Sequence, residues 1–207
     1  MSELIALSVK DFASLTASNA PAPGGGSVSA LCGALSAALC EMVANLTVGK
    51  EKYAAHEDAM QAILTELSSV RNALLRAVDE DTRAFDKYLA ALSLPKGSEE
   101  RKAAMQEGLK EAALVPLGVA TTACTLFAPL KEVLTHGNAN AVTDAMVGTM
   151  LARTCALGAI FNVRVNLASI HDESFVAKLA QQCDALQETA QASECELLRT
   201  IDISHFA

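Results

Sequence analysis

One long stretch of this chain alternates apolar residues in steps of three and four, through Met60, Leu64, Leu67, Arg71, Leu74, Val78, Asp81, Phe85, Tyr88 and Leu92. That spacing marks the inward stripe of a helix. Arg71 can snorkel out of such a stripe, but Asp81 is short and lies between Val78 and Phe85, where an unpaired carboxylate is costly to desolvate. Asp81 therefore requires either a Lys or Arg on a neighbouring helix or a cavity in which a carboxylate does acid-base chemistry. Asp79, about 200° away around the same helix, cannot share that site and is the weaker candidate.

A second row combines small and polar residues: Asp144, Gly148, Leu151, Cys155, Gly158, Asn162 and Asn166. Its glycines admit the close approach of another helix or of a flat ligand. Asn162 and Asn166, one turn apart, offer amide donors and acceptors to one space. A third feature is the loop "PAPGGGS". Gly24, Gly25, Gly26 and Ser27 end it at a helix start, where free N–H groups and the helix dipole favour a carboxylate or phosphate. No strand precedes this loop and no G-K-[ST] follows, so it is neither a dinucleotide fingerprint nor a Walker loop. Beyond it, Ser29, Gly33 and Ala37 form a small-residue ridge suited to close helix packing, within the chain or across a dimer.

The elements that must position these residues read as helices throughout. The chain has 207 residues, 51% of them hydrophobic, with no Trp and only two Tyr, a composition dominated by helix formers. Ser8 with Asp11 caps a first helix to about Ser18. Ser27 caps a second that ends at Gly49, a residue suited to the left-handed C-terminal position. A third runs from about Ala54 to Leu92. Ser98 caps a fourth, bent at Pro116 and near Pro129. A fifth spans about Ala139 to Ser169, and a sixth about Asp172 to Thr200. The expectation is a single all-α domain over residues 1–207, a bundle of about six long helices without strands or repeats.

The net charge of −8 argues against a nucleic-acid partner and requires any anionic ligand to find a local basic patch, for which Lys50 and Lys52 are the candidates. The six cysteines show no C-x-x-C pair and no His at ligand spacing, so buried thiols in a reducing compartment are expected, and no metal. The N-terminus lacks a signal-peptide pattern. The longest charge-free apolar run, Ser27 to Cys40, is shorter than the roughly 20 residues of a membrane span. Cytoplasmic location and no membrane association are the expectations.

Taken together, "APGGGSVSALCGALSAALCEMVANLTVGKEKY", "VDEDTRAFDKYLAALSLPK", "ALVPLGVA" and "GNANAVTDAMVG...GAIFNVRVNLASIHDESF" resemble, in order and over nearly the whole chain, the cyclodeaminase/cyclohydrolase family of folate enzymes. The resemblance implies an all-helical homodimer acting on the one-carbon group between N5 and N10 of tetrahydrofolate. Its substrate would be a formimidoyl or methenyl derivative, with or without a polyglutamate tail, and no cofactor beyond that folate is implied. The family's D-x-D-x-x-A-F segment falls on Asp79 to Phe85, with its catalytic aspartate at Asp81. Its N-V-x-x-N-L segment falls on Asn162 and Asn166, its G-N turn on Gly137 and Asn138, and the acidic position beyond that turn on Asp144. The alternative is a folate-binding or scaffold protein of the same fold without turnover.

Overall fold

The computed structural model describes residues 3–199, apart from the Phe85 side chain. Seven α-helices carry the chain: α1 (Val9–Thr16), α2 (Gly25–Asn45), α3 (Glu57–Leu92), α4 (Glu99–Thr125), α5 (Phe127–His136), α6 (Val142–Leu167) and α7 (Glu173–Arg199). No strand occurs among the described residues. The six expected helices are all present, the fourth in two segments. Pro129 explains the division: its ring collides with the carbonyl four residues back, Thr125, which is where α4 ends, while its missing N–H falls harmlessly in the first turn of α5. The expected end at Thr200 and the stripe position of Phe85 lie outside the described residues.

Local signals set most helix ends. Ser8 Oγ accepts the Asp11 N–H at 3.1 Å, and Ser98 Oγ accepts the Arg101 N–H at 3.1 Å. Gly49 takes φ +73° just beyond α2, the left-handed geometry that a β-carbon disfavours. The start of α2 departs from expectation. Gly24 is its cap, and Ser27 sits inside the first turn with its hydroxyl donating to Val78 O on α3 at 2.9 Å.

Helices α2, α3, α4 and α6 form a ring in which each is antiparallel to its neighbours, with α5 and α7 laid outside against α6. The stripe of α3 faces inward as its spacing requires: Met60, Leu67, Leu74 and Val78 are at most 1% exposed. The Ser29-Gly33-Ala37 ridge is used inside the chain, not across a dimer. A β-carbon on Gly158 would collide with Ser29 Oγ, and one on Gly33 would lie 2.6 Å from Cys155 Sγ, so α2 and α6 touch almost backbone to backbone. Arg71 reaches from the stripe to a half-exposed position, where its Nε pairs with Glu41 of α2 at 2.6 Å.

Gly25–Asn45, Glu99–His136 and Ala139–Leu167 are, by length and composition, long and apolar enough to cross a membrane, although about half of each is buried in the bundle. Their outer sides leave apolar residues exposed. Leu35 and Met42 on α2 with Leu46 at its C-cap, and Val147, Met150, Phe161 and Val165 on α6, form two adjacent exposed rows.

Candidate functional site

Asp81 reaches from α3 onto the N-terminus of α2. Gly26 makes this approach possible, because a β-carbon there would fall inside contact distance of the Asp81 carboxylate. Ser27 Oγ lies 3.4 Å from Asp81 Oδ2, and the Ser27 N–H also donates to the carboxylate. Gly25, Gly26 and Ser27 lie in the first turn, where N–H groups have no intrahelical acceptor. No Lys or Arg pairs with Asp81 among the described residues, so the ion-pair explanation of the stripe acid is excluded there. Desolvation raises the Asp81 pKa above the usual carboxylate value, and the two Ser27 hydrogen bonds oppose it. A carboxyl held this way can take and return a proton.

Asn162 approaches the same helix start from α6. Its Nδ2 lies 3.5 Å from where a Gly25 β-carbon would stand and donates to Gly158 O at 2.8 Å. Gly24 to Ser27 are therefore flanked by an acid on one side and an amide on the other. Asn166, one turn on, is differently employed: its Nδ2 donates to Ala112 O at 2.7 Å on α4. That carbonyl has lost its normal helical donor, since the residue four positions on is Pro116.

The remaining sequence candidates gather at the other end of α2, roughly 30 Å away by helical rise over its 21 residues. There the Asn138 N–H donates to Thr47 Oγ1 at 2.8 Å and its Nδ2 to Leu46 O at 3.0 Å, tying the turn before α6 to the end of α2. Asp144 occupies the first turn of α6. Lys50 and Lys52 are exposed, without an ion pair among the described residues. Within one chain the candidates thus form two groups, not one pocket.

One residue escaped the sequence reading. Tyr53 accepts the Ala139 N–H at 3.1 Å and approaches Asn138 Oδ1 at 3.4 Å. The Ala139 hydrogen bond and the nearby Lys52 and Lys50 lower its pKa against a smaller desolvation effect. The only sequence signal was its place in "GKEKY". Asp79, the weaker candidate of the sequence, is buried: its Oδ1 accepts the Leu4 N–H at 2.6 Å, while Oδ2 has no partner among the described residues. The helix therefore carries a buried acid beside the stripe, facing away from the half-buried Asp81 as helical geometry requires. The thiols are all unpaired, but only Cys40, Cys155 and Cys183 are buried as expected, while Cys32 and Cys124 are half-buried and Cys195 is exposed; burial pushes Cys40 up to about 12 and Cys124 up to about 11.

The profile of the formiminotransferase-cyclodeaminase family matches residues 8–185. The chain is 35% identical over 198 residues to a methenyltetrahydrofolate cyclohydrolase of Methylorubrum extorquens, covering 93% of this chain and 95% of that one. It is 34% identical over 198 residues to the formimidoyltransferase-cyclodeaminase of Sus scrofa, covering 94% of this chain but 37% of the pig protein, so it spans about a third of that longer relative. The crystal structure of a formiminotetrahydrofolate cyclodeaminase from Thermotoga maritima superposes with a TM-score of 0.87 at 31% identity, covering 95% of this chain and 96% of the other. A single profile over most of the chain, and a shared fold with relatives of its own length, place the chain in the formiminotransferase-cyclodeaminase family.

Proposed function

We propose that this protein is a folate enzyme working at the N5/N10 bridge of tetrahydrofolate, with Asp81 as its proton-transfer group. In cyclodeamination, N10 attacks the formimidoyl carbon, Asp81 takes the N10 proton, and the amine leaves as ammonia once protonated. In cyclohydrolysis, water adds to the methenyl carbon, Asp81 takes a proton from that water, and the bond to N5 breaks as N5 is protonated, leaving 10-formyltetrahydrofolate. Both reactions pass a proton at one carbon, and neither calls for a redox partner or a cofactor beyond the folate. The observation that carries this reading is the Asp81 carboxylate seated on the start of α2, partly desolvated and without a counter-cation among the described residues, facing the same turn as Asn162. The cyclohydrolase and cyclodeaminase relatives of equal length support it.

The homodimer belongs to the same reading. A twofold axis perpendicular to α2 and α6 would bury the exposed rows from Leu35 to Leu46 and from Val147 to Val165 against their copies. It would also reverse the helices, setting Lys50, Lys52, Tyr53 and Asn138 of one subunit beside Asp81 and Asn162 of the other. The two groups then make one site, with the lysines positioned for the anionic glutamate tail. Six unpaired cysteines fit a reducing cytoplasm.

The test is an absorbance assay with methenyltetrahydrofolate and, separately, formimidoyltetrahydrofolate with ammonia detection. Turnover of one of them, reduced about 10²- to 10⁴-fold in kcat by Asp81→Asn with folate binding retained, is the expected result. A folded protein that binds folate and turns over neither would establish the non-catalytic alternative.

A further inference from the structure

We propose that His56, Glu132 and His136 form a binding site for one divalent transition-metal ion of the zinc class. None of the three belongs to the group around Asp81, and the ion would bind whether or not the chain turns over folate. Glu132 and His136 stand at i and i+4 on α5 and so share a face. His56 comes from the end of the Glu51–His56 turn, at the N-cap of α3. Ligand atoms of the three side chains lie within 4.8 Å of one another, and all three residues are half-buried. The imidazoles stack with centroids 4.1 Å apart and planes inclined by 14°, and His136 Nδ1 is 2.9 Å from Glu132 Oε1.

The donor set selects the ion. Two imidazole nitrogens and one carboxylate suit zinc, cobalt, nickel or copper, whereas magnesium and calcium favour all-oxygen shells. Bonds of about 2.0–2.2 Å in a tetrahedral shell space the ligand atoms roughly 3.4 Å apart, so on binding His136 and Glu132 give up their 2.9 Å contact while the widest-spaced ligand atoms close in. Three protein ligands leave a fourth position for water. The bound ion would join the start of α3 to the end of α5, next to the turn where Ala139 and Asn138 meet Tyr53. Its role is thus a clip on the Lys50–Tyr53 end of the molecule.

Zinc titration into chelator-treated protein, followed by calorimetry and melting temperature, tests this. One ion per chain is expected, with Tm raised by several degrees at saturating zinc. His56→Gln and His136→Gln should each weaken binding by at least about tenfold, and the exposed His171→Gln should not. Glu132→Gln supplies the same comparison if a His variant does not fold. Cobalt bound in place of zinc should show d–d bands without a thiolate charge-transfer band. Absence of saturable binding, binding unchanged in the folded variants of this trio, or a thiolate band lost on Cys195→Ser would each overturn the proposal.

Discussion

The Asp81 carboxylate occupies the space that a side chain on Gly26 would fill. Two helices thus meet at a point where one must lack a β-carbon so that the other can present an acid. Gly26→Ala should displace the carboxylate while adding a better helix former, so folding should survive and activity should not. A kcat loss approaching that of Asp81→Asn, about 10²-fold or more, is expected with an unchanged circular dichroism spectrum. Parent-like turnover would show that the acid works from a different rotamer.

Asp81 also links stability to pH. Its folded pKa lies above the unfolded carboxylate value of about 3.9, so between the two values the folded chain binds the extra proton. Its contribution is full below the unfolded value and is lost as pH rises through the folded one. Asp81→Asn cannot ionise, so at pH 7 it should melt higher than the parent. The difference should close toward pH 4. A variant that melts lower than the parent at pH 7 would mean that the ionised carboxylate supports the fold.

Asn166 and Pro116 form a compensating pair. Asn166→Ala leaves the Ala112 carbonyl without its donor, and the expected destabilisation in urea is about 1–3 kcal/mol. Substituting Pro116→Ala restores a helical N–H for the same carbonyl, so Asn166→Ala made in that background should cost clearly less. Equal costs in both backgrounds would separate the two residues.

A shared site makes defective subunits complement each other. Asp81→Asn and the double variant Lys50→Ala with Lys52→Ala, unfolded together and refolded in equal amounts, should regain about a quarter of the parent sites, because each mixed dimer has one intact site. The assay is turnover at low folate concentration, with subunit exchange checked by mass spectrometry. Dimers that exchange without regaining activity would confine the site to one chain.

The lysines should read the length of the glutamate tail. Replacing both is expected to raise KM about fivefold more for a polyglutamylated than for a monoglutamylated folate, the scale of one exposed ion pair of about 1 kcal/mol. Equal changes for the two substrates would remove the lysines from tail binding.

The sequence by itself determined the helices and the acid. Ser8, Ser98 and Gly49 act on backbone groups within a few residues, so their caps and turn are local chemistry. Asp81 was legible because, of the two charges in a regular apolar stripe, it alone is too short to reach out of it, and the break needs no knowledge of the neighbouring helix. Tertiary structure decided whatever depends on what lies across a contact. Asp79 is buried because the segment at Leu4 folds back onto it, and Asn166 serves α4 because Pro116 exposes a carbonyl there. The Ser29-Gly33-Ala37 ridge meets α6 of its own chain, and the candidate residues separate to opposite ends of α2 because that helix is rigid and long. His56 meets Glu132 and His136 only when α3 and α5 are packed together, since no spacing in the chain relates residues that far apart. Periodicity identifies which side of a helix faces inward; only packing identifies what it faces.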